Sequence, residues 1–278
     1  VNIIITGING FLGRNLIPNL SQHNIIGIDL NDGQIGNIPV YSSTNLDNLP
    51  FNPDIIVFCH AAVVSGTDTL ENKILYEVNV GVTEKITLKF KDATYIFIST
   101  ASIYEKSLNT IIHENSPIKP KSFYAISKLW AEEVILKNPK SLVIRLSSLY
   151  GIGMKENTLI PNYVNQALNN HKIEVWGDGS RYQNYIHVND ISQLVKIIID
   201  NNIYDAYIHL GVNNFEYSNL EIAKIIKSYI DCEIVFKNSD NTLSHRYDNS
   251  LTNKKLNWEP KTTIIDGISN YIEWKKQK

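Results

Sequence analysis

Val1-Asn2-Ile3-Ile4-Ile5-Thr6-Gly7-Ile8-Asn9-Gly10-Phe11-Leu12-Gly13 opens the chain. Its first six residues form a short apolar, β-branched run with the composition of a strand. The run breaks at glycines, and Leu12, Leu16, Ile17 and Leu20 then recur at helical spacing. Strand, glycine turn and helix in that order make a place for a phosphate. Glycine permits positive φ and lets backbone amides approach a pyrophosphate, which then lies on the positive end of the helix. A second apolar run, Asn24 to Ile28, ends at Asp29, where a carboxylate can accept hydrogen bonds from an adenosine ribose diol. The spacing Gly-x-x-Gly-x-x-Gly departs from the common Gly-x-Gly-x-x-Gly fingerprint. The flanking strand, helix and acid therefore carry the reading of dinucleotide binding as much as the glycines do.

Outward from this unit, apolar strand candidates at Asp54 to Cys59, Tyr95 to Ser99 and Leu142 to Leu146 alternate with helical stretches at Leu70 to Phe90 and Phe123 to Lys137. Such alternation predicts an α/β fold, a doubly wound parallel sheet with helices on both faces. In a parallel sheet the C-terminal strand ends collect the ligand groups. Those ends read Gly7 to Gly13, Cys59-His60-Ala61-Ala62, Ser99-Thr100-Ala101-Ser102 and Ser147-Ser148-Leu149-Tyr150-Gly151, dominated by small residues. After Gly151 the pattern changes. Helices are expected at Ile160 to Leu168, Leu220 to Ile230 and Ile264 to Trp274, with short strands at Ile173 to Trp176, Ile208 to Leu210 and Glu233 to Phe236. The expected organisation is a dinucleotide-binding domain over 1–150, to which 189–211 returns, and a smaller α/β lobe over 151–188 and 212–278.

The 278 residues are long enough to bury a large core. With 26 basic and 28 acidic residues the formal charge is -2, so no basic surface points to nucleic acid or an anionic membrane. Cys59 and Cys232 are isolated thiols without metal-like spacing, and a reducing, cytoplasmic setting is the expectation. The chain opens without the features of a secretory signal and has no apolar run long enough to span a bilayer. Since a strand begins at Val1, little beyond an initiator Met is expected ahead of it.

Tyr124 and Lys128, within Ser122-Phe123-Tyr124-Ala125-Ile126-Ser127-Lys128, share one face of a helix. A free phenol titrates near ~10, and a nearby ammonium favours the phenolate, so the pair can act as a base.

The combination of Gly7, Gly10 and Gly13, Ser99-Thr100-Ala101-Ser102-Ile103-Tyr104, Tyr124-x-x-x-Lys128, Arg145 with Tyr150-Gly151, Trp176-Gly177-Asp178-Gly179-Ser180 and Tyr185-Ile186-His187-Val188-Asn189-Asp190 resembles the extended short-chain dehydrogenase/reductases. More narrowly it resembles their nucleotide-sugar epimerase, dehydratase and reductase group. The resemblance implies a Rossmann domain holding NAD, with NADP possible, and a C-terminal lobe gripping a nucleoside-diphosphate sugar. It places Thr100 as the catalytic hydroxyl, Tyr124 as the base and Lys128 on the nicotinamide ribose. Gly7, Gly10, Phe11, Leu12, Gly13, Asp29, Ala61, Ala62, Asn79 and Ser99 join Tyr124 and Lys128 as expected cofactor contacts. Ser65, Thr100, Arg181, Gln183 and Arg246 are the expected substrate contacts, and no metal is expected. The family also implies a homodimer packed through the helices near 71–90 and 123–137.

Departures from the family pattern bear on the reaction. Dehydratases of the group usually carry Asp-Glu after the catalytic Thr, where this chain has Ala101 and Ser102, so elimination across C5 and C6 lacks its acid and base. Cys59 stands where relatives often have His, and Ser148 where many have Asn. Gln183-Asn184 replaces the usual Arg-Asp, while Arg181 lies just upstream and can take over the displaced phosphate contact. His187 reads as structural, at a strand entering a helix whose N-cap region is Asn189-Asp190. Two enzymatic readings stay open: an NAD-dependent epimerase at C4 working through a 4-keto intermediate, and a ketoreductase of a 4-keto-6-deoxy nucleotide-sugar. A non-enzymatic sensor would not need Thr100, Tyr124 and Lys128. Asp29 repels a 2′-phosphate and favours NAD, which suits a cofactor recycled in place, while Arg14 offers a cation nearby.

Overall fold

Ile3, Ile4 and Ile5 are all fully buried, which successive strand residues can be only where both faces of a sheet are covered. In the computed structural model, which describes residues 1–63, 71–104 and 111–278, they belong to β1 (Asn2–Thr6), followed by α1 (Phe11–Leu16), β2 (Asn24–Asp29), β3 (Gly33–Ile35), β4 (Ile38–Ser42) and β5 (Ile55–Phe58). The helix expected from Leu70 to Phe90 is broken into α2 (Asn72–Tyr76), a π-helical turn over Glu77–Gly81, and α3 (Val82–Lys89), and Leu70 lies outside the described residues. Next come β6 (Thr94–Thr100), β7 (Ile111–Ile112), α4 (Phe123–Ile135), β8 (Ser141–Leu146) and β9 (Ser148–Tyr150). Helix α4 stops at Ile135 rather than Lys137, because Asn138 precedes Pro139 and is held away from helical backbone angles.

The second half contains α5 (Leu159–Asn170), β10 (Lys172–Trp176), β11 (Tyr182–His187), α6 (Val188–Asp200), β12 (Tyr207–Gly211), β13 (Glu216–Ser218), α7 (Asn219–Lys227), β14 (Glu233–Lys237), β15 (Arg246–Tyr247), α8 (Ser250–Leu256) and α9 (Ile264–Lys276). Ser218 caps α7 through a reciprocal pair with Glu221, which starts that helix one residue before the expected Leu220.

Eight strands make one sheet in the order β12-β8-β6-β5-β1-β2-β4-β3, parallel throughout except for the β3/β4 hairpin at its edge. Strand alternation sorts the core. Ile3, Ile5, Val57, Ile96 and Ile144 pack on one face with Leu12 and Leu16 of α1 and Leu194 and Val195 of α6. Ile4, Ile56, Phe58, Phe97 and Val143 pack on the other with Ile86 of α3 and Ala131 and Ile135 of α4. A separate cluster holds α5, α7 and α9 together through Tyr163, Val164, Ile222, Ile226, Ile268 and Tyr271.

The chain order reverses direction across the sheet between β1 and β5, with β2 on one side and β6 on the other. A crevice opens outside the strand ends at such a switch point. Gly7, Cys59, Thr100 and Ser147 follow or end the strands there, so topology alone gathers residues far apart in sequence. No helix among the described residues is long and apolar enough to cross a membrane.

Candidate active site

The glycine turn is built for close backbone approach. Gly7 has φ of 65°, and a Cβ there would stand 2.6 Å from the His60 Cα. A Cβ on Gly13 would fall 2.5 Å from the Gly7 carbonyl oxygen. The turn is closed by Gly10 N–H donating to the Gly7 carbonyl at 2.9 Å and by Asn9 N–H donating to Asp29 Oδ2 at 2.9 Å. Gly10 caps α1 without any side-chain hydrogen bond, leaving first-turn amides for an anionic ligand. Phe11 is half-buried and Leu12 buried at the start of that helix. Ser99 Oγ, at the end of β6, is buried and has no hydrogen-bond partner. The tight cradle, uncapped amides, carboxylate and orphaned hydroxyl all fit a dinucleotide.

Thr100 and Tyr124 meet from different elements. Ser122 Oγ accepts the Ala125 amide at 3.1 Å and so starts α4, placing Tyr124 in its first turn. The Tyr124 phenol lies near Thr100, whose hydroxyl favours the phenolate and whose Oγ1 accepts the Ser102 amide at 3.1 Å. Thr100 thus both caps the following turn and faces the phenol. One turn along α4 lies Lys128, buried, with Nζ 4.1 Å from the centre of the Phe97 ring.

The electrostatics depart from the expectation that Lys128 keeps Tyr124 acidic. Burial pushes the Tyr124 phenol up to about 12, and the hydrogen bond from Thr100 pulls only weakly the other way. Burial likewise drives Lys128 down to about 8, against the attraction of Glu132 and Cys59. Desolvation outweighs pair attraction here because Lys128 lies over an aromatic ring.

Asn79 sits in the π-helical turn, a distortion common at functional sites. Its Oδ1 accepts the Ala62 amide at 2.7 Å, while its Nδ2 donates to the Ala62 carbonyl at 3.1 Å and to Ser127 Oγ at 2.9 Å. The side chain therefore clamps the Ala61-Ala62 segment to α4 beside Lys128. His60 is held by Thr6 Oγ1 at 2.6 Å and Thr83 Oγ1 at 3.2 Å, and burial lowers it to about 3. It is a neutral bracket between β1 and α3.

A cleft of about 140 Å³ opens beside Thr100, lined by Ala101, Ser102, Leu146, Ser147, Ser148, Arg181, Gln183, Asn184, His245 and Tyr247. Arg181, just before β11, and Gln183, within it, both line the cleft. Arg181 NH1 lies 3.9 Å from Asp240 Oδ2, and its Nε is buried without a hydrogen-bond partner. Gln183 donates to Asn219 Oδ1 at 2.9 Å. Arg246 is exposed on β15 and does not line the cleft; its neighbours His245 and Tyr247 do, because strand side chains alternate. Ser65 lies outside the described residues.

Asn184, His245 and Tyr247 were not foreseen as cleft residues. Asn184 is buried and accepts from Ser147 Oγ at 2.7 Å and the Asn213 amide at 2.9 Å, joining β11 to the segments after β8 and β12. Its alternation with Gln183 in β11 was the available signal. The α6 cap differs from the expected Asn189-Asp190: His187 Nδ1 accepts the Asn189 amide at 3.2 Å, and Asp190 instead accepts the Lys261 amide at 2.9 Å. An imidazole fits the cap because Asp190 is committed to the segment before α9.

Comparison with known proteins places this geometry. The profile of the NAD dependent epimerase/dehydratase family matches residues 3–208. A putative UDP-glucose 4-epimerase of Methanocaldococcus jannaschii is 25% identical over 99% of this chain and 98% of its own length. A dTDP-D-glucose 4,6-dehydratase of Dictyostelium discoideum is 27% identical over 81% of this chain and 61% of its own. Among solved structures, UDP-glucuronic acid 4-epimerase from Bacillus cereus in complex with NAD superposes with a TM-score of 0.86 at 19% identity, covering 100% of this chain and 99% of that one.

Proposed function

Since the chain belongs to the NAD-dependent epimerase/dehydratase family, we propose that it is an NAD-dependent epimerase acting at C4 of a nucleoside-diphosphate sugar through a transient 4-keto intermediate. The observation that carries the reading is Thr100 in the wall of a cleft beside Ala101 and Ser102, with the Tyr124 phenol near enough to Thr100 to feel its hydroxyl. Proton transfer at a carbinol has its groups there. Elimination of water has no carboxylate at Ala101 or Ser102 to serve it.

Gly7, Gly10, Phe11, Leu12 and Gly13 would cradle the NAD pyrophosphate, Asp29 the adenosine ribose, Ala61, Ala62 and Ser99 the middle of the cofactor, and Lys128 the nicotinamide ribose. When bound, the nicotinamide supplies hydride acceptance and return at the sugar carbon, together with a positive charge that favours the phenolate. Tyr124 takes the proton of the C4 hydroxyl and later gives it back. Thr100 holds the same oxygen in both protonation states. Between the two proton transfers the sugar is a 4-ketone, and turning it in the cleft exposes its opposite face. Arg181 and Gln183 hold the diphosphate end, the guanidinium matching phosphate geometry. Asn79 acts through Ala62 and Ser127, by holding the strand end against α4.

A second copy of the chain is the proposed protein partner. Tyr76, Phe123, Ile126 and Trp130 are exposed apolar residues on α2 and α4, and the Tyr76 and Trp130 rings lie 5.3 Å apart, tilted by 54°. Light scattering of the purified protein measures the dimer.

Purified protein offered a panel of nucleotide-sugars without added cofactor tests the function. Epimer formed at the expense of no added NAD supports the proposal, and bound nicotinamide is read by denaturing a sample. Stoichiometric loss of NADH or NADPH with a 4-keto-6-deoxy sugar nucleotide supports the ketoreductase instead. Unchanged turnover in Tyr124→Phe overturns both.

A further inference from the structure

Tyr124, Lys128 and Glu132 follow one another at helical spacing along α4, so their side chains form a single row. The row ends in a buried ion pair. Glu132 Oε1 accepts from Arg145 Nε at 3.1 Å and Oε2 from Arg145 NH2 at 2.6 Å, with both side chains no more than 1% exposed. Arg145 comes from β8 and lies 4.8 Å from the centre of the Tyr104 ring, and its NH1 has no partner. A pair so deeply buried adds little net stability, since desolvation cancels much of the attraction. It asks for another role.

We propose that the Glu132–Arg145 pair is a positioning element that holds the Lys128 side chain charged and fixed one turn below Tyr124. This rests on the reading of Tyr124 and Lys128 as the proton-transfer unit. The surroundings of Lys128 support it element by element. From the β5 end come Cys59, whose thiol burial pushes up to about 12, and His60, lowered to about 3. From β6 comes the Phe97 ring, and from α4 itself comes Tyr124, a neutral phenol raised to about 12. All of these are uncharged near neutrality. Among the described residues Glu132 is the carboxylate that acts on Lys128, and it raises a pKa that burial lowers. Arg145 fixes the Glu132 rotamer through two parallel bonds.

The charge on Lys128 is measured directly, by NMR titration of protein carrying lysine labelled at the side-chain carbon next to nitrogen, with Lys128→Arg used to assign the signal. In the wild-type protein the ammonium loses its proton above pH 7. In Glu132→Gln the midpoint falls by about one pH unit, because an attracting charge is gone and Arg145 is left to repel. In the double variant Glu132→Gln/Arg145→Met, which replaces the buried pair by neutral groups and so avoids an orphaned charge, the midpoint also falls, but by less. The alkaline limb of turnover moves with the midpoint, while KM for the nucleotide-sugar stays within about threefold because Glu132 touches no ligand. A Lys128 found neutral at pH 7 in the wild-type protein overturns the proposal whether or not either variant folds. An unmoved midpoint in a folded variant does the same. Shifted midpoints without turnover of any nucleotide-sugar would sink the proposed function and leave this pair's role standing.

Discussion

The carboxylate of Asp29 accepts the Asn9 backbone amide at 2.9 Å, so the acid that ends β2 also closes the glycine turn that ends β1. One side chain thereby shapes the glycine turn and, under the proposed function, would also meet the adenosine ribose. The two roles separate by substitution. Asp29→Asn keeps an oxygen for the Asn9 amide but loses the charge that repels a 2′-phosphate, so its preference for NAD over NADP shrinks by about tenfold. Asp29→Ala loses both and weakens NAD binding by about 10- to 100-fold. Calorimetric titration with each cofactor measures these changes, and an unaltered preference in Asp29→Asn would remove the carboxylate from cofactor selection.

Under the proposed function Tyr124 and Thr100 contribute differently to the same substrate oxygen. Tyr124→Phe removes the proton carrier and lowers kcat by about 10²- to 10⁴-fold, with KM for the nucleotide-sugar little changed. Thr100→Val removes a hydrogen-bonding hydroxyl of nearly the same volume and lowers kcat by about 10²-fold. Wild-type single-turnover rates climb with pH as the phenolate fraction climbs, whereas the residual rate of Tyr124→Phe has no such limb. Stopped-flow absorbance of the reduced nicotinamide reads both. A Tyr124→Phe enzyme with the wild-type pH profile would assign proton transfer to another group.

Arg181 lies against the cleft with a buried, unpartnered Nε, held loosely by Asp240 at 3.9 Å. Removing a diphosphate contact that is equal in ground and transition states raises KM and spares kcat. Arg181→Ala is expected to raise KM by about 10- to 100-fold with kcat within about threefold of wild type. Arg181→Lys recovers only part of this, since an ammonium cannot make the bidentate contact. A fall in kcat at unchanged KM would move Arg181 from the diphosphate to the reacting sugar.

Most of this site was legible because it lies on strand ends and one helix face. The Gly7 to Gly13 turn and the helix face shared by Tyr124 and Lys128 follow from local pattern, Thr100 was singled out by resemblance, and parallel topology gathers the strand ends that carry the turn and Thr100. Local pattern does not show what a buried environment does to charge. Burial raises the Tyr124 phenol to about 12 and lowers the Lys128 ammonium to about 8, and burial is set by packing between elements far apart in sequence. Glu132 stands four residues after Lys128 and was visible as a spacing, but its partner Arg145 comes from another strand. Arg246 was placed on the diphosphate by resemblance; it is exposed on β15, while its neighbours His245 and Tyr247 line the cleft beside Thr100.

His60 makes the site sensitive to acid through stability rather than chemistry. Its Nδ1 lies 2.6 Å from Thr6 Oγ1 and its Nε2 3.2 Å from Thr83 Oγ1. Burial first, and the positive charge of Lys128 second, lower its pKa from an ordinary 6.5 to about 3. The sign follows from which state holds the proton. Between those two values the unfolded chain is protonated at His60 and the folded chain is not, so stability falls as pH drops through 6.5 and the loss levels off near 3. The interval corresponds to roughly 5 kcal/mol at most, a large part of the stability of an ordinary domain. His60→Gln keeps a hydrogen-bonding group between Thr6 and Thr83 but cannot titrate. It is expected to be less stable than wild type at pH 7.5, where the imidazole fits its bracket at no protonation cost, and to lose less on acidification. Urea unfolding at a series of pH values from 7.5 to 4 measures the two curves. They converge or cross if His60 carries the acid sensitivity, and parallel curves would assign that sensitivity to other buried groups.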